Sequence, residues 1–403
     1  MNDTLRHKPF ALFLCSRILT SVAFQMQAVA VGWQIYSISG SALYLGLVGL
    51  AQFLPMFILT LAAGHVADRY SRRNVSRLCQ VMEGIAAVAL AVLSFGGWQT
   101  KESILGIIFV AGAARAFEGP ALQSLFPRLV PAMLIPRAAA WSASAFETAG
   151  VVGPAVGGLL YAAGPAMVYL AVSVLFLGAG TFLTLIRTEP AAVRRQERIS
   201  IESVFAGISF IRSRPAVLGA ISLDLFAVLL GGATALLPVY ARDILLTGPW
   251  GLGVLRSAPA VGALAMSVYL ARRPLRRHVG RVMFAAVAVF GAATIVFGVS
   301  TSFTLSLSML VILGAADAIS VVIRHSLVQI ETPDEMRGRV SAVNSMFIGT
   351  SNQLGEFESG LTAAWFGAVP AVVIGGAGTI LVVLIWARLF PQLTNVYSLE
   401  PRK

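Results

Sequence analysis

Charged residues are scarce in this chain. Aspartate, glutamate, lysine and arginine together make up 12% of the 403 residues, whereas apolar residues make up 57%. Because soluble globular domains carry about 25% charged residues, this composition excludes an ordinary soluble protein. It predicts a polytopic membrane protein whose helices are surrounded by lipid.

Lysine, histidine and cysteine are scarcer still. No lysine follows a glycine, which excludes ATP hydrolysis through a phosphate-binding loop. The two cysteines lie in apolar runs and form no disulfide framework. The four histidines fall in segments predicted to be cytoplasmic, which argues against a metal cluster. We therefore expect no cofactor, no metal and no enzymatic activity; the residues concerned are Lys8, Lys101, Lys403, Cys15, Cys79, His7, His65, His278 and His325.

Long apolar runs, by contrast, are abundant. A bilayer core requires about 20 apolar residues per helix, and twelve runs of about that size follow one another along the chain. We predict an all-α membrane protein with twelve transmembrane helices in two pseudo-symmetric six-helix halves. The predicted spans are 10–36, 43–63, 75–96, 103–125, 137–162, 165–187, 215–240, 250–271, 281–300, 303–324, 339–364 and 369–390.

Positive charge is distributed unevenly between these spans. Arg17, Arg115 and Arg256 lie inside them, and Lys101 and Arg242 lie in loops on one side of the membrane. We assign all other lysines and arginines to the opposite side, which the positive-inside rule identifies as the cytoplasm, together with both termini. The net charge of +12 is then explained by topology and by contact with anionic lipid, not by nucleic acid.

The chain resembles itself when it is shifted by 202 residues. Residues 114–159 then overlie residues 316–361, and Tyr36 and Tyr240 match at a shift of 204. Parallel repeats of this size in an apolar chain are typical of transporters whose two halves move against each other. We predict an N-terminal half at 1–190, a cytoplasmic linker with a surface helix at 191–214, and a C-terminal half at 215–403.

The loop before the eleventh span carries a helix-start pattern. Thr332 is a suitable N-cap, Pro333 suits the first turn, and Glu335 stands at the capping-box position. This pattern predicts a helix on the cytoplasmic surface with a structural role.

Ionisable residues inside the predicted spans are the main candidates for function. Each costs roughly 2.5 to 3.5 kcal/mol to insert, and an acid that gains and loses a proton could couple transport to a proton gradient. The acids could instead pair with arginines or accept hydrogen bonds, an interpretation that is strong for Arg115 and Glu118 at i and i+3. The proton-coupling candidates are Glu118, Asp224, Asp317, Glu147 and Glu356; Glu83 and Glu358 complete the acids, and the charge partners are Arg17 and Arg115.

Three ordered motifs resemble those of the major facilitator superfamily. Residues 64–73 resemble its signature loop, residues 115–119 its proton-handling element, and residues 150–158 the glycine-proline motif of its antiporters. Glycines four apart allow close helix packing, and a proline inside a helix kinks it. The loop residues are Gly64, Asp68, Arg69, Arg72 and Arg73, with Ser71 in place of a usual glycine, and the glycine-proline residues are Gly150, Gly153, Pro154, Gly157 and Gly158.

The resemblance covers nearly the whole chain. Residues 33–36 and 336–344 are similar to the branch that holds enterobactin exporters and drug and macrolide efflux proteins. It implies export of a small organic compound by proton antiport across the bacterial inner membrane. It also implies that the first, fourth, seventh and tenth spans line a central cavity. Side chains there that could contact the substrate are Phe24, Gln25, Gln27, Trp33, Phe117 and Phe226.

Proton-coupled efflux of a drug or siderophore by alternating access is therefore the predicted function. The expected partners are the small-molecule substrate, protons and membrane lipid, without nucleic acid, and the chain is expected to act as a monomer. The acid-rich interior favours a cationic or neutral substrate, whereas the resemblance points also to anionic siderophores. Two alternatives stay open: a metabolite importer or facilitator without proton coupling, and a membrane receptor or scaffold that transports nothing.

Overall fold

The chain is helical throughout the part that the structure describes. The computed structural model describes residues 3–186, 201–275 and 277–398, and no strand occurs in these ranges. The part of the predicted linker at 191–200 lies outside them. Twelve long helices are numbered α1 to α12: Lys8–Ser39, Ala42–Arg69, Arg72–Gly96, Lys101–Leu125, Ile135–Leu160, Pro165–Leu185, Pro215–Leu230, Gly248–Arg272, Val279–Val299, Phe303–Glu331, Asp334–Phe366 and Ala368–Leu389. The helix Ile201–Ser213, between α6 and α7, is called the linker helix.

Eleven of the predicted spans are confirmed as helices that are long and apolar enough to cross a membrane. The eleventh span, predicted at 339–364, is the exception. It forms α11, which has 33 residues and ample length, but its serine, asparagine, glutamine and glutamate side chains make it too polar to qualify by composition. A helix with this many polar side chains needs partners within the protein, because lipid offers none.

The seventh span, predicted at 215–240, is part of the stretch Pro215–Ile244, which is long and apolar enough to cross a membrane, but its helix is interrupted. α7 ends at Leu230, and after Gly231 and Gly232 the chain continues as a 3₁₀ turn, Ala233–Leu236, and a wider turn, Tyr240–Ile244. The two glycines explain the break, since glycine is a poor helix former. They also allow close packing, because a Cβ on Gly232 would lie 2.7 Å from the carbonyl oxygen of Gly355 on α11.

The predicted capping box before α11 is wrong. Thr332 is instead the residue that ends α10, and its buried hydroxyl has no partner among the described residues. Pro333 takes the N-cap position without a side-chain hydrogen bond. The long helix α11 starts directly at Asp334 and leaves no separate surface helix.

Many large apolar side chains point away from the protein interior. Examples on α2, α3, α6 and α12 are Phe57, Ile85, Phe95, Val174 and Leu384, each more than half exposed. In water such side chains would promote aggregation, whereas lipid is as apolar as they are. Together with the eleven apolar helices, this surface indicates a multi-pass membrane protein.

The described helices form two compact units. Unit 1 comprises 1–40, 50–198 and 248–257, and unit 2 comprises 41–49, 199–247 and 258–403. In unit 1, α3 packs against α4 and α6, and α1 packs against α5 and α6. In unit 2, α9 packs against α10 and α12, and α7 packs against α11 and α12. The second set of helix pairs is the first advanced by six helices, so the sequence repeat is a repeat of packing.

Glycines set the distance between α1 and α5 in unit 1. A Cβ on Gly157 would lie 2.9 Å from the Met26 Cα, and a Cβ on Gly153 would lie 2.6 Å from the Gln25 Cβ. Real Cβ atoms do not come this close to their neighbours. With any residue larger than glycine at these two positions, the backbones of α1 and α5 would have to lie farther apart. Gly106 on α4, by contrast, has nothing within 4 Å of its virtual Cβ.

We predict that Gly157→Ala destabilises the protein, whereas Gly106→Ala does not. The added methyl of the first variant must push Met26 and α1 away, an overpacking that costs about 1–3 kcal/mol. The second variant gains helix propensity, up to about 1 kcal/mol. Thermal unfolding of the two purified full-length variants in one detergent measures the difference. Equal unfolding temperatures would show that the α1–α5 approach does not limit stability.

Candidate functional site

Gln80 of α3 connects polar side chains from three helices in unit 1. Its Nε2 donates to Glu118 Oε1 of α4 at 3.0 Å and lies 3.1 Å from both Ser16 Oγ and Thr20 Oγ1 of α1. Gln80 and Glu118 are both buried. Because an amide nitrogen carries only two protons, three acceptors share two donor positions. The negatively charged acceptor, Glu118, forms the strongest of these bonds.

Two arginines stand near the Glu118 carboxylate. Arg115 precedes it by one turn on α4, Arg17 lies on α1, and both interact with it electrostatically. The Arg115 guanidinium carbon lies 3.3 Å from the centre of the Phe24 ring, a cation–π contact. The structure thus brings together four of the predicted site residues, and the packing of α1 against α4 places them.

A small cavity adjoins this cluster. Polar groups in its lining are Gln27, Gln52, Glu83 and Arg115, and Phe24 contributes an aromatic face. Arg115 Nη1 and Glu83 Oε2 are buried without a hydrogen-bond partner among the described residues. Buried polar atoms nearly always have a partner, so this cavity suits a water molecule or a polar ligand.

A second buried cluster lies in unit 2. Asp224 Oδ2 of α7 and Arg324 Nη2 of α10 form an ion pair at 3.2 Å. Ser320 Oγ donates to Asp224 Oδ1 at 3.4 Å, and Arg324 Nη1 donates to Asn344 Oδ1 of α11 at 3.3 Å. Both charged side chains are almost fully buried: Arg324 is 3% exposed and Asp224 is 6% exposed. Together with Asn344, the ion pair links α7, α10 and α11 of unit 2.

The prediction grouped Arg324 with the basic residues of the cytoplasmic side, and its side chain is buried within unit 2. It stands at the last residue of the predicted tenth span, but α10 continues for two more turns to Glu331. An arginine at the end of a predicted span is compatible both with a cytoplasmic position under the positive-inside rule and with a buried ion pair, so the sequence alone does not distinguish the two. The chain therefore holds more buried positive charge than the sequence suggested, and Asp224 is neutralised.

The other predicted acids are dispersed. Asp317 is half-buried on α10 and lines a small cavity with Asp224 and Ser320. Glu356 is half-buried on α11, where it lies beside Gly49 at the start of α2. Glu147 is half-buried on α5 in unit 1. Of the proton-coupling candidates, Asp224 and Asp317 line one cavity together.

The predicted aromatic and amide residues also separate into groups. Phe24 and Gln27 line the cavity of unit 1. Gln25 lies against Gly153 of α5. Trp33 packs edge-on against Tyr161, with ring centres 6.4 Å apart, and Phe226 lies against Trp386 of α12 at 5.1 Å. Phe117 is half-buried on α4.

Arginines of the signature loop bind the ends of neighbouring helices. Arg73 Nη1 donates to the carbonyl oxygen of Ile186, just after α6, at 2.7 Å, and Arg72 Nη1 donates to that of Ser124, in the last turn of α4, at 3.4 Å. Cations stabilise helix C-termini, where carbonyl oxygens lack partners. Gly64 and Arg69 lie within α2, and the side chain of Asp68 lies outside those that the structure describes.

The glycine-proline motif of α5 contacts a second helix besides α1. A Cβ on Gly158 would lie 2.8 Å from the Gly253 Cα of α8, and Ser257 Oγ of α8 donates to the carbonyl oxygen of Val151 at 2.7 Å. Gly150 and Pro154 are buried within the same helix. Sequence reasoning missed Gly253 and Ser257, although their spacing of four residues places them on one face of α8.

Comparison with known proteins gives consistent matches over the whole chain. A family model described as transmembrane secretion effector matches residues 3–402. Enterobactin exporter EntS of Citrobacter koseri is 25% identical, with 98% of this chain and 95% of the relative covered. Enterobactin exporter EntS of Escherichia coli K12 is 23% identical with the same coverage.

Solved structures of transporters share the fold. A bacterial homologue of the human lysosomal transporter Spinster superposes with a TM-score of 0.75 at 14% identity, with 98% of each chain covered. A bacterial homologue of the iron transporter ferroportin superposes with a TM-score of 0.69 at 17% identity, over 98% of this chain and all of the other. Since the family model spans nearly every residue, the chain belongs to the transmembrane secretion effector family of the major facilitator superfamily and is a multi-pass membrane transporter, not an enzyme.

Proposed function

We propose that this transporter exports a small organic molecule, a siderophore or a drug, across the bacterial inner membrane in exchange for protons. The observation that carries the proposal is the buried cluster of unit 1, in which Glu118 lies among Arg17, Arg115 and Gln80. Charged groups inside a membrane are costly and commonly mark ion and substrate pathways. The relatives named as enterobactin exporters support an organic cargo that leaves the cell.

Proton binding and cargo binding are coupled through charge in this scheme. A proton on an acid of the cluster removes a negative charge beside two arginines, which changes the affinity of the neighbouring cavity for cargo. Such coupling is reciprocal, so cargo also changes the affinity for the proton. Movement of the two halves exposes the cavity to the two sides of the membrane in turn.

The orientation follows from the positive-inside rule and places both termini in the cytoplasm. The basic loop between α2 and α3, with Arg69, Arg72 and Arg73, is then cytoplasmic and lies near anionic lipid headgroups. We expect the chain to work as a monomer, with protons, one small molecule and lipid as its partners.

The charge of the cargo is not restricted to cations. Arg324 neutralises Asp224, so the excess of buried acids is smaller than the sequence suggested. In unit 1, Arg115 stacked on Phe24 offers a guanidinium group and an aromatic face together. This combination suits an anionic or neutral aromatic molecule, in agreement with the siderophore named for the relatives.

Asp224 is proposed to stabilise unit 2. Its two carboxylate oxygens are occupied by Arg324 and Ser320, and Arg324 is held in turn by Asn344. A proton on Asp224 would leave a buried arginine without its counter-ion, which is far more costly than protonating an unpaired acid. Asp224 is therefore a poor proton carrier, and the acids of unit 1 are the better candidates.

We predict that Glu118→Gln abolishes gradient-driven transport. Inside-out membrane vesicles from cells that express the full-length chain are given an acidic interior, and uptake of enterobactin and of ethidium is measured. Uptake of the transported probe should fall by at least about tenfold, a factor that corresponds to about 1.4 kcal/mol of free energy. Glu102→Gln, on the exposed first turn of the same helix, should transport like the parent. Uptake that survives collapse of the gradient would contradict proton coupling.

We also predict that Asp224 and Arg324 depend on each other for stability. Asp224→Asn and Arg324→Gln should each destabilise unit 2 by about 3–5 kcal/mol, because each leaves one buried charge unpaired. The double variant should lose clearly less than the sum. Thermal unfolding of the purified full-length proteins measures all three.

Glu331→Gln is the matched control for this pair. It removes the half-exposed ion pair of Arg214 and Glu331, whose atoms lie 3.7 Å apart, and should cost less than about 1 kcal/mol. Additive losses in the double variant would show that the Asp224–Arg324 pair carries no interaction energy. Unchanged stability of Asp224→Asn, combined with lost gradient dependence, would make Asp224 the proton carrier instead.

A further inference from the structure

Glu83 is a buried acid of unit 1 with a carboxylate oxygen that accepts no hydrogen bond among the described residues. It lies on α3 one turn after Gln80 and is 3% exposed. Its Oε2 has no hydrogen-bond partner among the described residues. The Gln80 amide protons are directed to Glu118 and to the hydroxyls of α1, so the nearest amide on the same helix face is occupied. Buried polar atoms without a partner are rare and call for a physical explanation.

A guanidinium nitrogen without a hydrogen bond among the described residues lies at the same cavity. Arg115 lines it together with Glu83, and its Nη1 is likewise buried without a hydrogen bond. The guanidinium rests on the Phe24 ring at 3.3 Å and is not bonded to the Glu83 carboxylate. Two arrangements of this carboxyl group and this guanidinium are therefore open. In one, Arg115 rests on the Phe24 ring; in the other, it pairs with the Glu83 carboxylate across the cavity.

The charges around Glu83 come from two of the helices that pack against α3. Arg115 and Glu118 of α4 interact with it electrostatically, and Arg17 of α1 acts on Glu118. The third neighbour, α6, carries no charged side chain between Pro165 and Leu185. The titratable and charged groups that interact with Glu83, directly or through Glu118, are Arg17, Cys79, Arg115 and Glu118. With both acids ionised, the two arginines of the cluster are balanced, and one proton shifts the balance to +1.

We propose that Glu83 is the group that binds the transported proton, and that Arg115 is a positioning residue that responds to its charge. With the proton on Glu83, Arg115 stays on Phe24. When the proton leaves to water in the cavity, the Glu83 carboxylate attracts the Arg115 guanidinium across that cavity. The change alters the charge distribution of the cavity, which Gln27 and Gln52 also line. This inference rests on the proposed proton coupling and names the residue that performs it.

Hydrogen bonding distinguishes Glu83 from Glu118. Protonation of Glu118 weakens a charge-assisted bond from Gln80 at 3.0 Å and its attraction to two arginines. No hydrogen bond to Oε2 opposes protonation of Glu83. The proton is therefore taken up and released at Glu83, while Glu118 keeps Gln80 and α1 in place.

Infrared difference spectroscopy of the full-length protein reconstituted in lipid tests this assignment without any cargo. A protonated carboxyl group has a C=O stretching band apart from the amide bands, and the band disappears when the proton leaves. The parent protein should show such a band that titrates with pH. Glu83→Gln should lose it, whereas Glu118→Gln, Asp224→Asn and the exposed Glu102→Gln should keep it. Glu83→Asp, which retains a carboxyl group, should show a titrating band at a shifted frequency and serves as the folding control.

Two outcomes would overturn the inference. One is a titrating band that persists in Glu83→Gln; the other is a parent protein without any titrating carboxyl band. A band lost in Glu118→Gln but kept in Glu83→Gln would reassign the proton to Glu118 and leave the proposed function intact. Transport that does not depend on the pH gradient would instead remove the proposed function, even if Glu83 titrates.

Discussion

The neutralisation of buried charge is the constraint on which this structure depends. A chain with so few charged residues places several of them inside helices that are otherwise apolar, where each unpaired charge is costly. In unit 2 the solution is a direct pair, Asp224 with Arg324. In unit 1 it is a looser cluster of two acids and two arginines linked by Gln80. The tight pair resists a change of protonation, and the loose cluster permits one.

Close helix packing makes such charge placement possible. Gly153 and Gly157 let α5 approach α1, and α1 carries Arg17, Ser16 and Thr20 toward the side chains of α3 and α4. With larger residues at these glycines, α1 would have to shift, and the hydroxyls would leave the reach of Gln80. The glycine-proline motif thus acts on the charge cluster through α1, although it contains no polar side chain itself.

Local sequence patterns predicted the fold well, because the length and composition of apolar runs are properties of each segment alone. The same patterns failed where a distant residue decides the outcome. Arg324 ends the predicted tenth span, and its position carries no signal for the buried contact with Asp224. Gln80 is uncharged and gave no signal, although it organises the cluster of unit 1. Thr332 matched a capping pattern, but α10 extends far enough to occupy that position. The roles of the predicted site residues depend on proton and cargo chemistry, which neither spacing nor burial decides.

The sequence repeat relates the two charge clusters to each other. The shift of 202 places Glu118 on Ser320, and the shift of 204 that aligns Tyr36 with Tyr240 places Thr20 on Asp224. In unit 1 the acid stands on α4, and Gln80 links it to the hydroxyl of α1. In unit 2 the acid stands on α7 and the hydroxyl on α10, in direct contact.

Acid and hydroxyl have therefore exchanged helices between the repeats, while the depth of the site is retained. Each acid adjoins a small cavity, lined by Glu83 and Arg115 in unit 1 and by Asp317 in unit 2. The units differ also in the counter-ion, because the shift of 202 places Leu122 on Arg324, so a direct ion pair forms in unit 2, whereas a bridging amide, Gln80, holds the acid of unit 1.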